Sequence, residues 1–345
     1  HNPITEEIIS SGYNIQDVET DEDVYYNRIV NTKKTLGLRS FHNYIKSKLI
    51  QSVSQRGDTL IDLACGKGGD FPKWTDARLS FVFGIDKSKD NLENRMDGAC
   101  ARFLNYRKSR KHVPHALFVQ GDVSDNIKDG SALKSDKGIQ ITNAIFGQGP
   151  KDETRLGRGV VRQYGKGVDG FNITSCQFAL HYFFESISTI QNFVRNLAEC
   201  TKLNGYFVAT SYDGKSVFNM LKNKEVNDGV SIYEGGQKIW EIKKRYSLNA
   251  FDDDSTSLHY TIDVFQESIN QSIPEYLVNY DYFERVMEDY GFALVTREEA
   301  KEMGEDDELG AESVAIQIVA DLLDEPVAEA EEEPMVEEVE ATIKA

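Results

Sequence analysis

The residues best placed to do chemistry in this chain are a cluster of glycines and two carboxylates. Residues 60–70 read Leu-Ile-Asp-Leu-Ala-Cys-Gly-Lys-Gly-Gly-Asp, an apolar run suited to a buried strand that ends in a glycine-dense turn. A second apolar run over 81–85 ends in Asp86. Glycines let the backbone pass close under a bound adenosine, and a carboxylate at the tip of the next strand can accept from both ribose hydroxyls. A tight strand-to-helix turn favours glycine for structural reasons alone, so Asp86 is what points to a nucleoside. A dinucleotide fingerprint needs G-x-G-x-x-G opening a helix that holds a pyrophosphate. Here Gly66-Lys67-Gly68-Gly69 runs straight into Asp70, and Asp62 lies in the leading strand. Those acids suit a phosphate-free cofactor with a positive centre. S-adenosylmethionine is such a cofactor, and methyl transfer is the leading expectation. A nicotinamide-dependent oxidoreductase, which would also use Asp86, is its rival.

The elements that must position these residues alternate. Apolar positions recur at helical spacing over 39–53. Strands are expected at 59–64, 81–85, 116–121, 171–176 and 206–211, with a basic helix over 92–110 and another over 187–203. This alternation predicts an α/β fold with a mostly parallel sheet. Residues 128–168, rich in Gly, Lys and Asp with little periodicity, read as a long loop insertion. Beyond Asp213 the pattern turns strand-rich (239–246, 258–265), followed by a helix near 276–290 and a last strand over 314–319.

The net charge of −18 resides mainly in the ends. Residues 1–23 contribute −7 and 321–345 contribute −9, which leaves −2 for everything between. The expected organisation is an acidic leader over 1–24, a catalytic domain over 25–320 and an acidic disordered tail over 321–345. A near-neutral centre leaves room for a local basic groove facing a polyanion, and the basic run over 107–112 is its densest candidate. The four cysteines form no C-x-x-C pair, so neither a zinc site nor a disulfide framework is expected. No apolar run is long enough to span a membrane. A cytoplasmic location is expected, with a viral factory, a virion or the host nucleus as alternatives. A chain opening at His1 reads as a piece of a longer protein.

Four segments converge on a resemblance: residues 38–47 (Leu-Arg-Ser-Phe-His-Asn-Tyr-Ile-Lys-Ser), 62–70 with Lys73-Trp74, 175–186 (Ser-Cys-Gln-Phe-Ala-Leu-His-Tyr-Phe-Phe-Glu-Ser), and 274–278 (Pro-Glu-Tyr-Leu-Val). Together they resemble the mRNA cap guanine-N7 methyltransferases over about residues 25–319. The opening His-Asn-Pro-Ile-Thr-Glu-Glu resembles the junction before this domain in the multifunctional capping enzymes of large DNA viruses. The resemblance implies a Rossmann-like class I S-adenosylmethionine-dependent fold with a seven-stranded, mostly parallel sheet and a small strand-rich cap-binding insertion. It implies cofactor contacts at Lys46, Ala64, Gly66, Asp86, Asp122, Gln177 and Tyr182. Cap contacts fall on His42, Asn43, Lys67, Lys73, Arg102, His181 and Glu275. Glu275, His181 and Tyr182 position the reactants, with no general base and no metal. The implied partners are the capped 5′ end of RNA and the RNA triphosphatase and guanylyltransferase domains of the same enzyme. Ala64 stands where relatives carry glycine, His42 replaces a common Asn, and a tyrosine expected in the last strand is missing. Simpler readings stay open for single residues: Asp122 as a helix N-cap, Lys46 on a solvated helix face, Glu275 opening a helix after Pro274. A non-catalytic, RNA-binding methyltransferase-like subunit is the alternative for the whole chain.

Overall fold

The computed structural model describes residues 36–109, 112–267, 269–296 and 299. Helix α1 (Leu36–Ser52) leads into β1 (Thr59–Asp62), then α2 (Phe71–Asp76), β2 (Phe81–Asp86), α3 (Lys89–Glu93), α4 (Ala99–Ser109) and β3 (His115–Gln120). Helices α5 (Asp136–Ile145), α6 (Glu153–Leu156) and α7 (Arg158–Val161) precede β4 (Phe171–Gln177). A 3₁₀ turn (Leu180–Glu185), α8 (Ile187–Cys200) and β5 (Thr201–Thr210) follow. These five strands form one sheet in the order β3-β2-β1-β4-β5, with every pair parallel. The chain moves outward from β1 to β3 and then returns to β4 on the other side of β1. The carboxyl ends of β1 and β4 therefore flank a topological switch point, where open α/β sheets bind ligands.

Buried parallel strands read as continuous apolar runs because helices cover both faces. Every residue of β1 and β2 is buried. Ile50, Leu60, Phe71, Trp74, Val82 and Ile173 form the core on one face. Ile61, Phe83, Phe171, Phe193 and Leu197 belong to the core on the other. Helix α8 shows why its segment is helical: Ser186 and Thr189 make a reciprocal capping box, and Ile190, Phe193, Val194 and Leu197 bury one face.

After α9 (Gly214–Met220), strands β6 (Gly229–Glu234), β7 (Gln237–Lys244), β8 (Thr261–Gln266) and β9 (Gln271–Tyr276) form a separate antiparallel sheet in that order, and α10 (Tyr280–Glu288) ends the series. Its core packs Trp240, Ile242, Ile262 and Val264 on Phe218 and Leu277.

Several expectations change. Five strands make up the parallel sheet among the described residues, against the seven expected, and residues 314–319 lie outside them, as do 1–24 and 321–345. The segment 128–168 is no plain loop; it holds α5 to α7. Its periodicity is weakened because α5 turns Gly138 and Thr142 inward beside Ala144 and Ile145. The basic helix expected over 92–110 is broken between α3 and α4 at Gly98, where an added Cβ would sit 2.7 Å from the Asn94 backbone. The helix expected from 276 starts at Tyr280, capped by Asn279. Pro274 is tolerated one strand earlier because β9 is an edge strand.

Candidate active site

The carboxyl ends of β1, β2 and β4 bring the predicted polar residues together. The Asp62 carboxylate accepts from the Ala64 N–H at 3.2 Å. Asp86 accepts from the Gly66 N–H at 2.7 Å with one oxygen, and from the Ser88 N–H at 2.9 Å and the Asn91 amide at 3.0 Å with the other. A carboxylate offers about four acceptor positions, so Asp86 straps the glycine loop to β2 and keeps one free. Burial raises the Asp86 carboxyl above its ordinary value despite these donors. Left-handed backbone falls on Gly66 and Gly68, at φ +51° and +67°, and not on Ala64. The departure from glycine at 64 therefore costs no backbone strain.

Asp62 is pushed up to about 8, first by burial and then by Asp70. Asp70 shows the opposite balance. Burial works to raise it, but Lys46 and Lys73, both 2.8 Å away, outweigh that and hold it below the carboxylate range. Lys73 also donates to the Asn43 side chain at 2.9 Å. Helix α1 is thus tied to α2 twice, Lys46 through the buried Asp70 carboxylate and Asn43 directly through Lys73. The solvated-face reading of Lys46 fails, since its side chain is 14% exposed and ion-paired.

Lys67 lies apart from this network in its bonding. It makes two 3.1 Å contacts to Asp97 and one of 3.5 Å to Asp90. The lysines expected to share one phosphate bridge are therefore held by different carboxylates. Arg102 is half-buried one turn into α4. Asp122 follows β3 with no helix after it, so it caps nothing. Its carboxylate accepts from the Ser124 N–H at 3.1 Å and pairs with Lys87 at 3.2 Å. Burial works to raise it, and the Ser124 and Lys87 contacts together outweigh that and hold it low.

Gln177 ends β4 with its amide fixed: the NH₂ donates to Ser175 and the Val208 carbonyl, and the oxygen accepts from Thr210. The next residue, Phe178, has φ +57°, strain that a bulky side chain rarely carries outside functional sites. Its N–H donates to the Thr210 carbonyl at 3.0 Å. The His42 ring lies 4.6 Å from the Phe178 ring, and the Lys46 ammonium is 5.7 Å over it. Burial and Lys46 lower His42 to about 4, so it is a neutral ring at pH 7.

The 3₁₀ turn after Phe178 presents His181 and Tyr182, with ring centroids 4.2 Å apart. His181 Nδ1 is 3.7 Å from a Glu275 oxygen, both side chains being buried. Glu275 sits on β9, not at a helix start, which removes the dipole reading. Burial pushes His181 down to about 3, and its Nε2 is buried without a partner. The site thus presents a neutral imidazole beside a carboxylate, with one unspent nitrogen.

Sequence reasoning missed three features here: the Phe178 backbone, the Asp90 and Asp97 partners of Lys67, and Tyr212. Tyr212 follows β5 and accepts from Trp240 Nε1 at 3.1 Å. Burial, and next the nearby Glu275 charge, push its phenol to about 12. It supplies an aromatic group near Glu275. Its signal was a polar Thr-Ser-Tyr-Asp sequence at the strand's end. Among the described residues, no group of three or more His, Cys, Asp or Glu side chains is arranged to hold a metal ion.

Known proteins are similar to this chain. A probable mRNA-capping enzyme of Acanthamoeba polyphaga mimivirus is 30% identical over 85% of this chain, which covers 25% of that protein. The mRNA cap guanine-N(7) methyltransferase 1 of Arabidopsis thaliana is 25% identical over 75% of the chain, and 59% of that protein is covered. For the mRNA cap guanine-N(7) methyltransferase of Saccharomyces cerevisiae the figures are 27%, 77% and 53%. The chain therefore spans a quarter of the viral relative and somewhat over half of the cellular ones. Residues 5–147 and 157–339 match the mRNA (guanine-N(7))-methyltransferase domain, and with nearly its whole length matched this chain belongs to that family.

Proposed function

We propose that this chain transfers a methyl group from S-adenosylmethionine to N7 of the terminal guanosine of capped RNA, turning GpppN ends into m7GpppN ends. The observation that carries this reading is the buried Glu275 beside a neutral His181 with an unpartnered Nε2. The cellular relatives are named for this activity. The viral relative is named a probable mRNA-capping enzyme, which supports RNA triphosphatase and guanylyltransferase domains as neighbours of this one.

The residues fit the cofactor. The Gly66 N–H that a pyrophosphate would need is already given to Asp86, and Asp62 and Asp70 flank the same loop. A Gly66 N–H already spent on Asp86 disfavours a dinucleotide pyrophosphate at this loop. When bound, S-adenosylmethionine supplies the methyl on a positively charged sulfur. Asp86, with one acceptor position free, holds a ribose hydroxyl, Asp122 the adenine amino group, and Lys46, Gln177 and Tyr182 the amino-acid end, with Ala64 and Gly66 contributing backbone.

Guanine N7 offers a neutral lone pair, so no proton has to leave before attack and no general base is needed. Rate comes from alignment, which can be worth roughly 7–11 kcal/mol. Glu275 faces the N1–H and N2–H₂ donors, and its charge favours the developing guanine cation over the neutral base. Lys67, Lys73 and Arg102 hold the triphosphate, the two lysines exchanging Asp97 and Asp70 for phosphate, while His42 and Asn43 line the entrance.

Incubation with methyl-labelled S-adenosylmethionine and a GpppA dinucleotide, followed by digestion, tests the reading. Label in N7-methylguanosine is expected. Cofactor binding without transfer would instead identify a non-catalytic subunit, and binding of NAD in its place would overturn the cofactor assignment.

A further inference from the structure

Helix α4 connects the site to a second charged region. It starts beside the glycine loop, where a Cβ on Gly68 would lie 3.5 Å from the Ala99 Cβ. It then runs back toward the amino end of β3, and its eleven residues span about 16 Å at 1.5 Å each. Phe103 and Tyr106 stack on Phe71, so this face is spent on the core. Arg107 and Lys108 are exposed in the last turn.

The other face of β3 is covered by the 128–168 segment, whose Leu156, Val160 and Tyr164 cluster with Leu117. Eight Lys or Arg residues stand in that segment against four acids, in a chain of net charge −18. Arg162 and Lys166 are exposed on it, flanking Tyr164, which clusters with Leu117 of β3. Burial, then Arg107, Arg162 and Lys166, lower the His115 ring below its ordinary value, so cations from α4 and from this segment act on one edge-strand residue. None of the three makes an ion pair among the described residues. Two bland roles exist: cations blunt an edge strand against aggregation, and they favour a helix carboxyl end. Neither role draws cations from segments more than fifty residues apart to one point.

We infer that Arg107, Arg162 and Lys166, reached from the site along α4, form a binding strip for the phosphate backbone of the RNA downstream of the cap. The direction of the path rests on the cap-site reading above. Arg102, early in α4, stands between the two regions, so one strand can leave the cap pocket and follow the helix to the sheet edge. The contact is to phosphates and therefore independent of sequence.

The test is fluorescence anisotropy with an uncapped 20-nucleotide RNA across a salt series, comparing the parent with the Arg107→Gln, Arg162→Gln, Lys166→Gln triple variant. Three lost phosphate contacts flatten the slope of log affinity against log salt by about 2 and weaken low-salt binding about tenfold or more. GpppA methylation and cofactor binding stay at parental levels. The Arg107→Lys, Arg162→Lys pair keeps the slope, which separates lost charge from damaged folding. In the unaltered chain, affinity for capped RNA rises with length until the strand reaches the strip. An unchanged slope in the triple variant overturns the inference and is the outcome if the strip serves an acidic protein segment instead. Equal affinity for GpppA and a capped 20-mer overturns it too. Failure of the cap-site reading shows elsewhere, as absent methyl transfer to GpppA by the unaltered chain.

Discussion

Glu275 and His181 are separated by ninety-four positions and meet only because β9 lies against the 3₁₀ turn after β4. Replacing Glu275 with Gln keeps the shape but sets an NH₂ donor against a guanine edge that only donates. The expected result is intact folding and cofactor binding with methyl transfer down by roughly 30- to 1000-fold, the scale of about 2–4 kcal/mol of lost transition-state stabilisation. Single-turnover transfer to GpppA measures it, and near-parental rates would remove Glu275 from guanine recognition. Titration gives a second prediction. His42 and His181 have folded values near 4 and 3, depressed from 6.5, so their contribution to stability is present above pH 6.5 and lost as pH falls toward those values. Asp62 runs the other way: with a folded value near 8, stability is full below its ordinary 3.8 and is lost as pH rises through 8. Asp62→Asn is therefore expected to raise the urea midpoint at pH 8 while weakening S-adenosylmethionine binding, the trade-off of a strained site. A variant with a lower midpoint than the parent at that pH would show the carboxyl to be structural. Much of this scale was legible: Asp86, Gln177, His181 and Glu275 stand out by type and motif. The ion pairs were not, because Asp90 and Asp97 reach Lys67 only through the broken turn at Gly98.

At the scale of elements, legibility follows burial. Strands β1, β2 and β4 are covered on both faces, so their apolar runs announce them. Helix α5 is hard to read because Gly138 and Thr142 take places on its inner face beside Ala144 and Ile145. The start of α10 was misplaced by treating Pro274 as a helix opener, when the edge of a second sheet accepts proline equally well. Capping gives this scale its prediction. Ser186 closes the turn that carries His181 and opens α8, and its hydroxyl accepts from the Thr189 N–H at 3.2 Å. Ser186→Ala is expected to cost about 1 kcal/mol in urea unfolding. Tyr182 lies in the turn that Ser186 closes, so cofactor affinity falls slightly at most, Asp86 and Gln177 being held by their own strands. A loss below a few tenths of a kcal/mol would mean that packing of Phe193 and Leu197 alone holds the helix.

Among the described residues two sheets pack together, with a backbone joint at Gly214 and Val278, and the proposed reaction needs both. The parallel sheet supplies the strand tips that suit the cofactor, while the antiparallel sheet delivers Glu275. Part of their junction is backbone: Asp213 bridges Val278, and the Gly214 N–H donates to the Val278 carbonyl at 2.9 Å. An added Cβ on Gly214 would run into that same carbonyl, so backbone and not a flexible side chain has to give way. Val278 lies three residues after Glu275, and a shift at the joint moves the carboxylate relative to His181. A displacement near 1 Å at a reacting centre can cost about a hundredfold in rate. Gly214→Ala is thus expected to leave S-adenosylmethionine affinity near the parent's, because Asp86 and Gln177 belong entirely to the first sheet. Methyl transfer to GpppA should fall tenfold or more, with weakened binding of the dinucleotide. Gly159→Ala serves as the control, since its Cβ would enter open space. Calorimetry for each ligand and single-turnover transfer decide the outcome. Equal losses for cofactor and cap would mean that the joint supports the fold alone, and parental transfer rates would show that Glu275 does not depend on it.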